Sequence, residues 1–333
     1  MKRPDISVVI AAYNDLERLK ILLGRLYQTK AKNFEVVVVD DASKEDLKSL
    51  TKFFPIRYFR NSKNLGAAET RNLAARKAKG EILLSLDNDV LPQTDLVWQV
   101  ERFFQKNPFV IAVTGFAGTG VENPTFFAQY KYLRDWAYWY LDLDQSRFCF
   151  FRPAIGAIRK DVFLKLKGYD KRYCRPGVPA VEDLEFSYRL AKQGKIVFDP
   201  KLVVGHPFGG LKKLVKTYFD RTGLFMEILK EYELFSGVAT TPAEAATIIL
   251  APLCLGALIL TLLYPHFWPF FLFTLLAFIY RQRLFLRLCW QRQGWFFAFK
   301  AFLTSWLLYL VIIVGTIYYI FRPIGLLIKA LLK

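Results

Sequence analysis

Apolar residues run almost unbroken through Ile6–Ala12 (ISVVIAA) and Phe34–Val39 (FEVVVV), and again through Ile82–Leu86 (ILLSL). Runs of that length without alternation are the mark of strands buried on both faces of a sheet. Between them the spacing changes to that of helices. Leu16, Leu19, Leu22, Leu23 and Leu26 follow the turn Tyr13-Asn14-Asp15, and an Ala-rich helix over Ala67–Lys79 follows Asn64-Leu65-Gly66. A helix at Lys44–Phe53, a short strand at Ile56–Arg60 and a last strand pair within Lys195–Gly205 complete the pattern. Strands alternating with helices predict an α/β fold with a mostly parallel, doubly wound, Rossmann-like sheet.

Later in the chain the pattern becomes greasier. Phe126, Tyr130, Leu133, Ala137 and Tyr140 share one helical face, while Tyr132, Tyr138 and Trp139 cover others. Such a helix is either plain core or core on one side and acceptor or membrane interface on the other. Leu211–Phe235 reads as an amphipathic helix or helix pair, with Leu211, Leu214, Val215, Tyr218, Phe225 and Leu229 against Lys212, Lys213, Lys216 and Arg221. That pairing of faces suits a membrane interface. Ala245–Tyr264 and Ala301–Phe321 are long enough to cross a bilayer core of ~30 Å, whereas Phe267–Tyr280 is short and either spans with help or only dips in. The expected organisation is a catalytic domain over 1–210, interface helices over 211–240, and a transmembrane region over 241–333 with two or three spans.

Charge sharpens this division. The 333 residues carry 47 Lys+Arg against 29 Asp+Glu, a net of +18, yet 53% are hydrophobic. After residue 240 only Glu244 is acidic. A basic chain with greasy segments sits most simply on anionic membrane lipids, and no basic-aromatic motif points to nucleic acid. Arg281, Arg283, Arg287, Arg292 and Lys300 form what reads as a basic loop, expected on the cytoplasmic side. The catalytic domain is then cytoplasmic too, on an integral protein of the cytoplasmic membrane. RPIGLLIKALLK, at the end, either follows a further crossing or folds back as an interfacial helix. Four scattered cysteines without C-x-x-C spacing fit a reducing compartment, and MKRPDISVVI enters a strand pattern with no signal-peptide features.

The candidate chemistry gathers at strand ends. Asp87 and Asp89 close the third apolar run, at the end of the sheet where α/β ligands bind. Hard oxygen ligands there suit Mg2+ or Mn2+ carrying a diphosphate; a solvated turn is the plainer alternative. Asp40-Asp41 closes the second run in the same way, with Ala11 and Tyr13 beside it.

The order SVVIAAYN, VVVVDDAS, NLGAAETRN, GEILLSLDND and VEDLEFSYRL resembles the inverting family 2 glycosyltransferases of GT-A fold, over roughly residues 5–225. The resemblance implies a nucleoside-diphosphate sugar donor, with UDP expected ahead of GDP. Asp41 would contact the base, Ala11 and Tyr13 would line the nucleoside pocket, and Gly66 and Arg71 would belong to the G-x-x-x-A-R-N segment that can face the diphosphate. Thr70 stands where that segment usually has Ala. Asp89 would hold the metal, with Asp87 on the ribose or the metal, and His206 is a weaker third ligand. Asp183 of the Glu182-Asp183 pair would be the catalytic base. The bland readings are a helix cap for Asp41, an exposed helix position for Arg71, an acidic first turn for Glu182 and Asp183, and a structural His206.

A base is needed for a hydroxyl acceptor and not for a phosphate, so the expected acceptor is a hydroxyl of a lipid-linked or cell-envelope glycan. Transfer to polyprenyl phosphate is the rival, and a non-catalytic membrane scaffold is the rival from another class. The Q-x-x-R-W signature of the processive members of that family is missing where Tyr218-Phe219-Asp220-Arg221 stands, so the resemblance implies transfer of a single sugar. The oligomeric state stays open.

Overall fold

A computed structural model describes residues 5–118, 125–142, 150–174, 180–232 and 242–331. They divide into two compact units, Met1–Asn123 with Asp144–Pro207, and Pro124–Leu143 with Phe208–Lys333. The division is therefore not sequential, as the 1–210 boundary supposes. A segment from the middle of the catalytic stretch belongs with the C-terminal helices.

The first unit is built on one eight-stranded sheet. Its strands are β1 (Ile6–Ala12), β2 (Phe34–Asp40), β3 (Ile56–Arg60), β4 (Ile82–Asp87), β5 (Leu91–Pro92), β6 (Ala112–Ala117), β7 (Ile155–Arg159) and β8 (Ile196–Gly205), in the order β3-β2-β1-β4-β7-β6-β8-β5. The first four neighbours pair in parallel, as expected. Beyond β4 the sheet becomes mixed, because β7 runs antiparallel to both β4 and β6. The expected last strand pair is one long strand, β8, whose pairing with β6 shifts register between Thr114 and Phe116. Gly115 sits at that shift, where a Cβ would stand 2.1 Å from the Leu202 carbonyl oxygen, so no other residue fits there unmoved.

Helices α1 (Leu16–Leu26), α2 (Ala67–Lys77), α3 (Leu96–Lys106), α5 (Lys160–Lys165) and α6 (Glu182–Ala191) belong to this unit, and the expected helix at Lys44–Phe53 is a 3-10 turn over Leu47–Lys52. Leu19, Leu22, Leu23 and Leu26 of α1 meet Ile82, Leu84 and Leu86 of β4 and Val36 and Val38 of β2 in one fully buried cluster. Each such side chain contributes about 1.5–3 kcal/mol. The alternate residues of β4, namely Leu83, Ser85 and Asp87, point to the opposite face. Register sets Ala11 beside Asp87 on one side and Val39 on the other, and Ala12 beside Asp40. Chain order reverses direction between β1 and β4, so the crevice at their carboxyl ends is the switch point where such sheets bind ligands.

The second unit is helical: α4 (Phe126–Ala137), α7 (Leu211–Glu231), α8 (Pro242–Leu263), α9 (Trp268–Arg281), α10 (Arg283–Gln293) and α11 (Trp295–Leu331). Tyr130, Leu133 and Ala137 of α4 bury against Leu214, Phe285, Leu288, Cys289, Ala301 and Leu308. The aromatic face of α4 is thus core of this unit. Polar bonds reinforce it: Tyr130 and Ser305 pair at 2.9 Å, Arg134 Nη2 donates to Tyr309 Oη at 2.5 Å, and Tyr309 Oη donates to Glu244 at 2.8 Å.

Among the described residues, two helices are long and apolar enough to cross a membrane, Glu244–Leu263 and Trp295–Phe321, and the pair Pro265–Arg281 and Arg283–Gln293 passes the same test only together, bent by 68°. Two sequence readings need correction here. The basic loop is largely helix α10, because Phe285, Leu288 and Cys289 at helical spacing give it a buried face and Gly294, at φ 88°, stops it. RPIGLLIKAL does not fold back as a separate helix; α11 continues through it to Leu331.

Candidate active site

The loops at the carboxyl ends of β1 and β2 are laced together by hydrogen bonds. Asn14 N donates to Ser43 Oγ at 2.7 Å, Lys44 N to Asn14 Oδ1 at 2.9 Å, and Asp15 N and Leu16 N each to Glu45 at 2.9 Å. Asn14, Asp15 and Ala42 all hold positive φ, backbone strain of the kind that concentrates at ligand sites. Asp40, fully buried, accepts from Ser43 N, Tyr58 Oη and Arg60. Burial pushes its carboxyl up, but those donors together hold it below the usual carboxylate range.

Asp41 is also buried, and its partners lie within the chain. Oδ1 accepts from Asn61 Nδ2 at 2.7 Å and Leu65 N at 2.8 Å, and Oδ2 from Gly66 N at 2.8 Å. It is no helix cap: the following 3-10 turn is capped by Asp46. Asp41 instead anchors the turn into α2, where Gly66 caps the helix at φ 85°. Thr70 contributes through its hydroxyl, which donates to the Gly66 carbonyl and accepts from Asn61. Ala11 and the half-exposed Tyr13 lie at the end of β1 beside this turn.

Arg71 is not an exposed helix position. It is 8% exposed, donating from Nη2 to Asp87 Oδ1 and from Nη1 to Glu182 Oε1, both at 2.6 Å, with the Tyr169 ring 5.9 Å away. Burial disfavours its charge, but Asp87 and Glu182 more than restore it. Arg71 therefore ties the end of β4 to the first residue of α6. Replacing it by methionine leaves two carboxylates without their cation, and should cost about 3–5 kcal/mol, read by chemical denaturation of the detergent-solubilised protein.

One ligand atom each from Asp87, Asp89 and His206 lie within 4.8 Å of one another, at half-buried positions. Burial raises the Asp89 carboxyl and Asp87 pushes the same way, while His206 and Arg18 oppose them. Two carboxylate oxygens and an imidazole nitrogen so grouped fit a divalent cation, which would reverse that balance. Glu182 and Asp183 open α6, whose cap, Val181, supplies no side-chain bond. Glu182 is buried against Arg71, whereas Asp183 is half-buried and accepts from Leu184 N at 2.8 Å. The Gly/Pro-rich residues 175–179, ahead of α6, lie outside the described residues.

Residues 7–166 match the model of glycosyl transferase family 2. They form a family 2 glycosyltransferase domain. A protein of Haemophilus influenzae described as an uncharacterized glycosyltransferase is 29% identical to this chain over 193 residues, covering 56% of this chain and 62% of that one. Another from Rickettsia felis is 34% identical over 116 residues, 33% of this chain and 19% of that one. The chain thus spans less than two thirds of either relative. A mannosyltransferase from Pyrobaculum calidifontis, solved with GDP-Man and Mn2+, superposes with a TM-score of 0.59 at 16% identity, over 96% of this chain and 88% of that one. The glycosyltransferase domain accordingly has the GT-A fold. The family match includes Asp41, Arg71, Asp87 and Asp89 but stops short of Glu182, Asp183 and His206.

Asn14, Ser43, Glu45, Asn61 and Tyr169 are site-building residues that the sequence reading passes over. Asn14 and Ser43 stood in quoted motifs, and their polarity at strand ends was the available signal.

Proposed function

We propose that this protein is a membrane-anchored, inverting, metal-dependent glycosyltransferase. It moves one sugar from a nucleoside-diphosphate donor, UDP ahead of GDP, to a hydroxyl of a lipid-linked or cell-envelope glycan. The work is done at the cytoplasmic face of the cytoplasmic membrane. The observation that carries this reading is the Asp87–Arg71–Glu182 bridge, which fixes the acidic end of β4 to the helix start that bears Asp183. A metal-ligand group and a base candidate on one rigid connection are what direct displacement needs.

In that displacement the Asp183 carboxylate takes the acceptor O–H proton. The acceptor oxygen bonds to the anomeric carbon on the face opposite the diphosphate, and the electrons of the breaking bond leave with the phosphate oxygen. Asp89, Asp87 and His206 would hold the cation, and Mn2+ suits their mixed oxygen and nitrogen set better than Mg2+. The bound ion supplies Lewis-acid neutralisation of the departing diphosphate. Ala11, Tyr13 and the Asp41-anchored turn would wall the nucleoside; Asp41 has three of its roughly four acceptor positions taken, leaving one for a base N–H.

The test is thermal stabilisation of the detergent-purified chain by a panel of nucleotides, with and without Mn2+. A nucleotide at 100 times its Kd adds about 2.7 kcal/mol. UDP is expected to raise Tm in the presence of Mn2+ and much less without it. No shift with any nucleotide would overturn the transferase reading in favour of a scaffold.

A further inference from the structure

β4 is apolar except for one residue before its terminal aspartate. That residue, Ser85, is 5% exposed and lies opposite Val9 of β1. It points away from the main core, on the same face as Asp87, into a cavity of about 10 Å3 that it lines together with Arg71, Phe151, Phe163 and Tyr169. Three buried polar atoms without a protein partner belong to residues of this one cavity: Arg71 Nε, Ser85 Oγ and Tyr169 Oη. Arg71 has spent its terminal nitrogens on Glu182 and Asp87, and Nε is the donor it has left. Leaving three such atoms unbonded inside a protein is costly. A volume near one water and two to four polar partners are the conditions for an ordered internal water.

We propose that this cavity is a water site, and that one water bonded to Arg71 Nε, Ser85 Oγ and Tyr169 Oη locks the Arg71 guanidinium from behind. Each of the three atoms then gains a bond: Arg71 Nε–H and Tyr169 Oη–H donate to the water, filling its two acceptor positions, and the water donates a hydrogen to Ser85 Oγ. Tyr169 and Ser85 are then positioning residues: they act on the metal-ligand group through the chain water–Arg71–Asp87. This second half rests on the metal reading of the proposed function; the water itself does not.

The experiment uses the full chain in detergent, with Tyr169→Phe, Ser85→Ala and the double variant. If the water is there, Tyr169→Phe deletes a bonded hydroxyl and lowers Tm; in a dry cavity it deletes an unsatisfied one, and Tm stays or rises. Two residues sharing one water are coupled, so the losses in the double variant should be less than additive. Additive losses, or a Tm that does not fall, overturn the water site. The positioning role is read separately, as the Mn2+ concentration that half-restores nucleotide stabilisation. Loss of a group bonded directly to a metal ligand, as Arg71 is to Asp87, weakens metal affinity about 10-fold or more; Tyr169 acts through Arg71, so this midpoint should rise several-fold in Tyr169→Phe. A lowered Tm with an unmoved midpoint overturns the positioning role. Should no nucleotide stabilise even the parent chain, the metal reading fails while the Tm comparison still decides the water.

Discussion

Asp89→Asn will leave a folded protein that transfers no measurable sugar. Losing the cation's grip on the departing diphosphate removes several kcal/mol of transition-state stabilisation, which at ~1.4 kcal/mol per tenfold is a fall of about 1000-fold or more in kcat. The same substitution should make the metal-free protein more stable. Burial and the neighbouring Asp87 raise the Asp89 carboxyl in the fold. An acid whose pKa rises on folding costs stability as the pH climbs from its unfolded value, and the whole cost is present once the pH stands above its folded value. An uncharged amide escapes it. An inactive variant that melts higher without metal, and no longer gains from Mn2+ plus nucleotide, is the signature of a ligand; a variant that merely unfolds would point to a structural acid.

Asp183→Asn separates binding from chemistry. The amide keeps the size and the bond from Leu184 N but cannot take a proton. General-base losses run to about 10²–10⁴ in rate, and nucleotide stabilisation with Mn2+ should be unchanged, since Asp183 faces the acceptor in this reading. Its neighbour behaves differently. Glu182→Gln weakens the bond to Arg71 and should show first as lost stability. If Asp183→Asn retains full turnover with polyprenyl phosphate and the parent chain uses no hydroxyl acceptor, the hydroxyl preference is wrong and the lipid phosphate is the acceptor.

What was legible in the sequence follows from which forces act locally. β1, β2 and β4 are fully buried between helices, so their apolar runs marked them within a residue of their observed bounds. β7 is only five residues, IGAIR, and is defined by antiparallel pairing to β4, a partner far away in sequence. Pairing of that kind leaves little local trace. α10 was hidden by its arginines: charges on its exposed face drew attention from Phe285, Leu288 and Cys289 on the other. At the site, the strand-end aspartates were visible as residue types, but what they touch was not. Asp41 and Arg71 are both polar residues near a ligand crevice; only the fold shows that their donors and acceptors are largely engaged by Leu65, Gly66, Asp87 and Glu182.

The placement of α4 has a consequence for how the chain is made. Tyr130, Leu133 and Ala137 bury against α10 and α11, which are translated long after α4. At about 5–20 residues per second, an aromatic helix must wait on the order of ten seconds for the partners that cover it. Leu214 of α7 emerges sooner and joins the same cluster, but until α10 and α11 follow, the helix that interrupts the first unit has reason to seek a lipid surface or a chaperone.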